Sequence, residues 1–256
     1  MNYLLFLAII LLAHVSFWFV LSLIKKRNDL ADLAWGLGFV LLALVSFYIN
    51  YQSYGLSLRS GLVTGMITLW GVRLALHIYF RNRGKGEDYR YKKWREEWKY
   101  FKIRSYFQVF LLQGFLLFLI SLPVLIINQA PASSLQIIDF IGFSIWIIGF
   151  SFEVIGDYQL KKFIEDPDKE GVMQSGLWKF SRHPNYFGEV AQWWGVWIVS
   201  ISATANIFGV LGPITISFLI LKVSGIPLLE KRMSKKPGFD EYKRKTSKFF
   251  PLPPKK

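Results

Sequence analysis

The sequence predicts an all-α polytopic bundle of about seven membrane spans, with the N-terminus outside and the C-terminus in the cytoplasm. Three observations carry that reading. Hydrophobic residues make up 53% of the chain and aromatic residues 18%, with a mean hydropathy of +0.32, a balance typical of membrane proteins. Apolar runs of about 20 residues recur along it, the length at which a helix crosses hydrocarbon with its backbone groups paired internally. The basic residues are also sorted: 28 of the 31 Lys and Arg lie in segments 25–30, 81–105, 159–187 and 228–256. The loops at the opposite ends of the spans, 51–60, 128–134 and 203–205, contribute only Arg59. This alternation fits the positive-inside rule.

Taken in order, the expected spans are Tyr3–Ile24, Leu30–Asn50, Gly61–Phe80, Tyr106–Ile127, Leu135–Tyr158, Gly188–Ser202 and Asn206–Val223. The first lacks a basic leader and a small-residue cleavage site, so it is expected to stay as a span. The sixth is short and reads as tilted or partly re-entrant. Loop 81–105 mixes aromatics with both signs of charge, which suits a folded or membrane-surface segment. No internal repeat or low-complexity stretch divides the chain, so one membrane-embedded domain over 1–256 is expected, as a monomer in the cell inner membrane surrounded by membrane lipid.

The net charge of +14 follows from this topology, which leaves no call for nucleic acid as a partner. The absence of cysteine excludes disulfides, thiolate metal sites and Cys nucleophiles, and no metal site is expected.

An ionisable group at membrane depth is costly and therefore a functional candidate. The set is short: His14, Asp32, Arg73, His77, Glu153, Asp157 and Glu189. Most sit toward the basic ends of their spans, which suggests a polar chamber open to the cytoplasm. Arg73 and His77 are four apart, as are Glu153 and Asp157, so each pair shares a helix face. A structural role in a buried pair competes with a functional one for each of them, and His14, alone at mid-span, reads as a packing histidine.

The densest stretch runs from Ser181 to Glu189 (SRHPNYFGE). Pro184 suits the first turn of a helix, Asn185 and Glu189 share a face, and the positive helix end beside Arg182 would suit an anion. That combination fits a cofactor bearing amide or phosphate groups.

With this motif the sequence resembles a family. The pattern runs through Asp32-Leu33-Ala34-Trp35-Gly36, Arg73 and His77, the run 81–91, Leu112-Gln113-Gly114 and Gly156-Asp157-Tyr158. It continues through Arg182-His183-Pro184-Asn185-Tyr186-Phe187-Gly188-Glu189 and Phe239-Asp240-Glu241-Tyr242. It is similar to the bacterial branch of the steroid 5α-reductase family over nearly the whole chain.

The resemblance implies a 3-oxo-5α-steroid 4-dehydrogenase-like oxidoreductase, which uses NADPH to reduce the C=C bond of a lipophilic α,β-unsaturated ketone held among the first four spans. It implies cofactor contacts at Asp157, Asn185, Glu189 and Tyr242, with Arg182, His183 and Tyr186 inside the motif. Arg83 and Arg244 are among the basic residues available to the phosphates. Asp32 stands where the family places a carboxylate near the substrate carbonyl, and would have to be protonated to donate to it. The family's partner tyrosine in span three falls on Trp70 here, and His77 is offered as the catalytic substitute.

Two other readings stay open. The Arg-His-Pro-x-Tyr-x-Gly run also resembles membrane methyltransferases that use S-adenosylmethionine on isoprenylcysteine or phospholipid amines. A non-enzymatic lipid-binding or transport protein could use the same chamber as a passage.

Overall fold

The computed structural model describes residues 2–255 and, among them, contains helices and turns but no strand. Six helices are long and apolar enough to cross a membrane, which makes this a multi-pass membrane protein. By spatial grouping the chain forms two compact units. One is the chain up to Leu135 with Ala203–Gly209; the other is Gln136–Ser202 with Val210 onward.

In the first unit, α1 (Tyr3–Lys25) is capped by Asn2, whose side chain accepts from Leu4 N at 3.0 Å. It stops where Lys26 turns left-handed, at φ 53°. α2 (Leu30–Tyr54) packs along α1 and α3 (Leu58–Asn82). Asp88 caps the nine-residue α4 (Tyr89–Glu97) through Arg90 N at 2.9 Å. α5 (Phe101–Ser105) then runs through a π-helical turn, Tyr106–Leu111, into α6 (Leu112–Ile127), so that Phe101–Ile127 is one continuous helix.

The loop 83–105 is folded, as its composition predicts. Glu87 accepts two bonds from Arg95, at 3.0 and 2.8 Å, and one from Asn28 N at 2.6 Å. Asn28 Nδ2 donates to Ser105 Oγ at 2.6 Å. Trp94 and Trp98 stack at 5.0 Å, and Arg104 lies over Trp98. These contacts seat α4 against the basic ends of α1 and α2.

In the second unit, α7 (Ile137–Glu165) begins at a reciprocal cap in which Asp139 accepts from Gln136 N at 2.7 Å. α8 (Pro184–Thr204) follows, and α9 (Leu211–Phe218) leads through a second π turn, Leu219–Val223, to α10 (Ile226–Met233) and α11 (Phe239–Lys245). The expected end of span five, Tyr158, marks the edge of the apolar run rather than of the helix. Residues 159–165 keep forming helix, and the first breaker is Pro167. Likewise the short sixth span is the apolar part of the 21-residue α8, which starts at Pro184, where a missing N–H costs nothing. α8 is long enough to span, but it is less apolar than the other six because one face carries Asn185, Glu189 and Gln192.

α7 and α8 touch backbone to backbone. Gly142, Gly149 and Gly156 recur every seven residues on α7, and Gly188 and Gly195 do the same on α8, two helical turns apart each time. A Cβ on Gly149 would lie 2.6 Å from Gly188 O, and one on Gly142 would lie 2.7 Å from Gly195 O. Any larger residue would force the two helices apart.

Candidate functional site

The first unit gathers polar groups at the basic end of α2. Asp32, in the first turn of that helix, accepts a short hydrogen bond on Oδ1 from the Tyr91 hydroxyl, 2.6 Å, and a longer one on Oδ2 from Arg90 Nη2, 3.3 Å. Both donors come from α4, 58 and 59 residues along the chain. Tyr91 is buried, 3% exposed, among Ala31, Val109 and Phe110. Burial first, and then the adjacent Asp32 carboxylate, pushes its phenol well above the usual tyrosine value, so it keeps its proton. The Gln113 amide works the other way, lowering the phenol, and burial outweighs it. Asp88 steadies the cluster by accepting from Arg90 Nε at 3.0 Å. Burial raises the Asp88 carboxyl, but the bonds from Arg90 outweigh it and hold it below its ordinary value.

Asp32 thus sits between two donors, Tyr91 and Arg90, with the Tyr91 hydroxyl beside it as a second group that can offer a proton. His77, which the sequence offers beside Asp32, sits half-buried on α3. Trp70 packs edge-on against Phe39 at 5.2 Å. Arg83, just past the end of α3, is exposed. Near Tyr91 runs a narrow cleft walled by Val15, Ala34, Trp35, Phe110, Gly114 and Leu117, with Gln113 supplying an amide to its lining. His14 bridges helices there, its Nε2 lying 3.0 Å from Ala34 O.

The second unit places much of the SRHPNYFGE motif together. Asn185 Nδ2 donates to Asp157 Oδ1 at 2.9 Å, and one turn and two turns further along α8 come Glu189 and Gln192. Gln192 Nε2 donates to the buried Glu153 at 2.6 Å, while its own Oε1 is buried with no hydrogen-bond partner. Asp157, Glu153, Asn185 and Gln192 therefore form a ladder of carboxylates and amides along the glycine seam, close-packed because Gly149, Gly156 and Gly188 carry no side chain.

Arg182 and His183 face elsewhere. Arg182 is buried, and its guanidinium donates to Glu230 from Nε at 2.9 Å and Nη2 at 2.7 Å, and from Nη1 to the carbonyls of Lys243, 3.1 Å, and Thr246, 2.6 Å. His183 Nε2 stands 3.4 Å from the same Glu230 oxygen, and its ring stacks on Tyr186 at 5.9 Å. Burial holds His183 below the ordinary histidine value despite Glu230. Tyr242 spends its buried hydroxyl on Trp178 O at 2.6 Å, which pins α11 to the turn before the motif. Arg182 and Tyr242 thus brace the C-terminal segment, whereas Arg244 is exposed. Sequence reasoning assigned no role to Tyr91, Arg90, Gln113, Gln192 or Glu230. Arg90, Tyr91 and Gln113 lie in stretches that carry the resemblance without receiving a role there, and Gln192 is traceable as seven residues from Asn185, on the same face of the helix.

The chain is 27% identical over 244 residues to an uncharacterized protein of Schizosaccharomyces pombe, an alignment covering 80% of this chain and 69% of that relative. No solved structure matches it. The profile of one family covers residues 18–246, and so reaches from the middle of α1 to the end of α11 across both polar clusters: the chain belongs to DUF1295, described as a protein family of unknown function.

Proposed function

We propose that the chain is an NADPH-dependent membrane reductase of the C=C bond of a lipophilic α,β-unsaturated ketone, related to the steroid 5α-reductase-like members of its family. The observation that carries the reading is the proton-bearing Tyr91 hydroxyl, 2.6 Å from Asp32, near an apolar cleft. The α7–α8 ladder fits the cofactor in kind: its carboxylates and the unpartnered Gln192 oxygen accept from hydroxyl and amide donors, as a dinucleotide's sugars and carboxamide offer. Asp157, Asn185, Glu189 and Gln192 would hold it, with the exposed Arg244 of the same unit available to its phosphates. When bound, NADPH would supply a hydride to the β-carbon of the enone.

The chain's own residues handle the proton. The Tyr91 hydroxyl turns from Asp32 to the ketone oxygen and gives its proton there as hydride reaches the β-carbon, forming the enol; tautomerisation moves a proton to the α-carbon, and Tyr91 is reprotonated from solvent past the partly exposed Asp32. Asp32 orients the phenol and Arg90 balances the carboxylate. The wall from Val15 to Leu117 is apolar, and its cleft of about 10 Å³ would have to widen to take a hydrocarbon skeleton.

One observation favours a second reading. Arg182, the motif's cation, is committed to Glu230, and the ladder is acidic, which suits the sulfonium and ammonium of S-adenosylmethionine. Thermal shift of the detergent-purified protein with NADPH, NADH and S-adenosylmethionine separates the two. A ligand at 100 times its Kd stabilises by about 2.7 kcal/mol. A shift with NADPH alone supports the reductase, and Glu189→Gln is expected to reduce it while Asp32→Asn leaves it intact and lowers enone turnover. A shift with S-adenosylmethionine alone establishes the methyltransferase instead. Silence from all three points to a non-enzymatic lipid-binding or transport role.

A further inference from the structure

The last residues of the chain do not trail away from the fold. Arg182 N donates to Ser247 O at 2.9 Å, Ser181 Oγ to Phe249 O at 2.8 Å, Leu252 N to Phe180 O at 3.0 Å and Lys255 N to Lys245 O at 2.8 Å. Between these bonds Pro251, Pro253 and Pro254 keep the backbone extended. The docked segment nonetheless leaves large apolar side chains uncovered: Phe250 is 63% exposed, Leu252 55% and its neighbour Phe180 40%.

Phe249 and Phe250 both contact Phe187, at 5.8 and 6.1 Å, and Phe187 contacts Phe152 at 5.3 Å. Phe152 lies nine residues before Lys161, the first basic residue of α7, which is about 14 Å along the axis at 1.5 Å per residue. Through Phe187 the tail aromatics pack onto the apolar part of α7, short of its first basic residue. Exposed lysines ring the same segment. Lys248 directly precedes the two phenylalanines, Lys179 adjoins Phe180, the Lys255 backbone bond brings it beside Lys245, and Lys243 is exposed on the same short helix. The nearby acid, Glu241, is paired with Lys245 at 2.7 Å.

We propose that residues 247–255 form an interfacial anchor that binds anionic phospholipid, with Phe250 and Leu252 in the acyl region and Lys179, Lys243, Lys248 and Lys255 on the headgroups. Aromatic and aliphatic side chains flanked by lysines that reach back to the headgroups match a lipid surface; a soluble phosphate would leave the apolar half uncovered. Each lysine near an anionic surface contributes about fivefold in preference over a neutral one. The residues just before the segment, Lys243 and Thr246, give their carbonyls to Arg182, so lipid held there also holds the motif brace in place.

The test is thermal unfolding of the purified chain in nanodiscs of phosphatidylcholine alone and of phosphatidylcholine with phosphatidylglycerol. The expected result is a rise of several degrees with the anionic lipid, removed in the quadruple variant Lys179→Gln, Lys243→Gln, Lys248→Gln, Lys255→Gln. In the unaltered chain, 0.5 M salt is expected to suppress the rise, and this arm stands even if the variant does not fold. Inorganic phosphate added to neutral nanodiscs should produce no rise. An equal melting temperature in both lipids, a rise that survives salt, or the same rise with phosphate would each overturn the anchor. None of these outcomes depends on which cofactor the protein binds.

Discussion

Replacing Tyr91 with Phe removes one oxygen from a site that is 3% exposed and should leave the ring packing among Ala31, Val109 and Phe110 intact. What is lost is a 2.6 Å hydrogen bond to Asp32, whose other donor, Arg90, lies at 3.3 Å. A bond to an ionised partner contributes about 1.5–3 kcal/mol, and the Asp32 oxygen left behind cannot readily recover it from water. At about 2–4 °C per kcal/mol for a chain of this size, the melting temperature should fall by about 3–12 °C. The decisive assay is a double-mutant cycle of Tyr91→Phe and Asp32→Asn, read by tryptophan fluorescence on heating in detergent. If the pair acts as described, the double variant costs about 1.5–3 kcal/mol less than the sum of the single ones. Additive losses would refute the reasoning, since they would mean that the hydroxyl and the carboxylate stabilise the fold independently. Enone turnover, where found, should fall in both single variants.

Glu230→Gln keeps the shape but strips the charge facing the buried Arg182, and should cost about 3 kcal/mol; limited proteolysis should then cut within 243–252 sooner than in the unaltered chain. Gly149→Ala sets a methyl group 2.6 Å from Gly188 O, so the α7–α8 seam must open. A melting temperature within 1 °C of the original would show that the seam tolerates separation. His183, held by burial below its ordinary value, binds fewer protons than it does unfolded, so its contribution is fully present above about pH 6.5 and is lost as pH falls through the folded value. Melting temperature should therefore drop between pH 7 and 5 less steeply in His183→Gln than in the original chain, and parallel profiles would remove His183 as the cause.

The helices were legible because hydropathy and the sorting of lysines are local properties: six apolar runs and the motif before α8 can be read one window at a time. The partners of charged groups are not local. Asp32 meets Tyr91 across 59 residues through a nine-residue helix whose position depends on Glu87 bridging Arg95 and Asn28. Nothing in the tetrad Asp88-Tyr89-Arg90-Tyr91 says which aromatic turns inward. Arg182 looked like an anion site because its neighbours open a helix, and only the fold brings Glu230 to it from 48 residues away. Boundaries erred for a related reason. Apolar content reports where hydrocarbon ends, whereas Pro167 and Pro184 decide where the helix does.

The π turn at Tyr106–Leu111 has a consequence for how α6 is phased. Leu112 N donates to Phe107 O, five residues back rather than four, so the turn contains one residue more than α-geometry would use. At 3.6 residues per turn, one surplus residue rotates everything after it by about 100°. Gln113, which lines the cleft with Gly114, owes its heading to that surplus. Deleting a single residue within 106–111 would let the segment relax to plain α-helix and swing the amide a quarter-turn away, with every residue from Leu112 onward unchanged in identity and hydropathy.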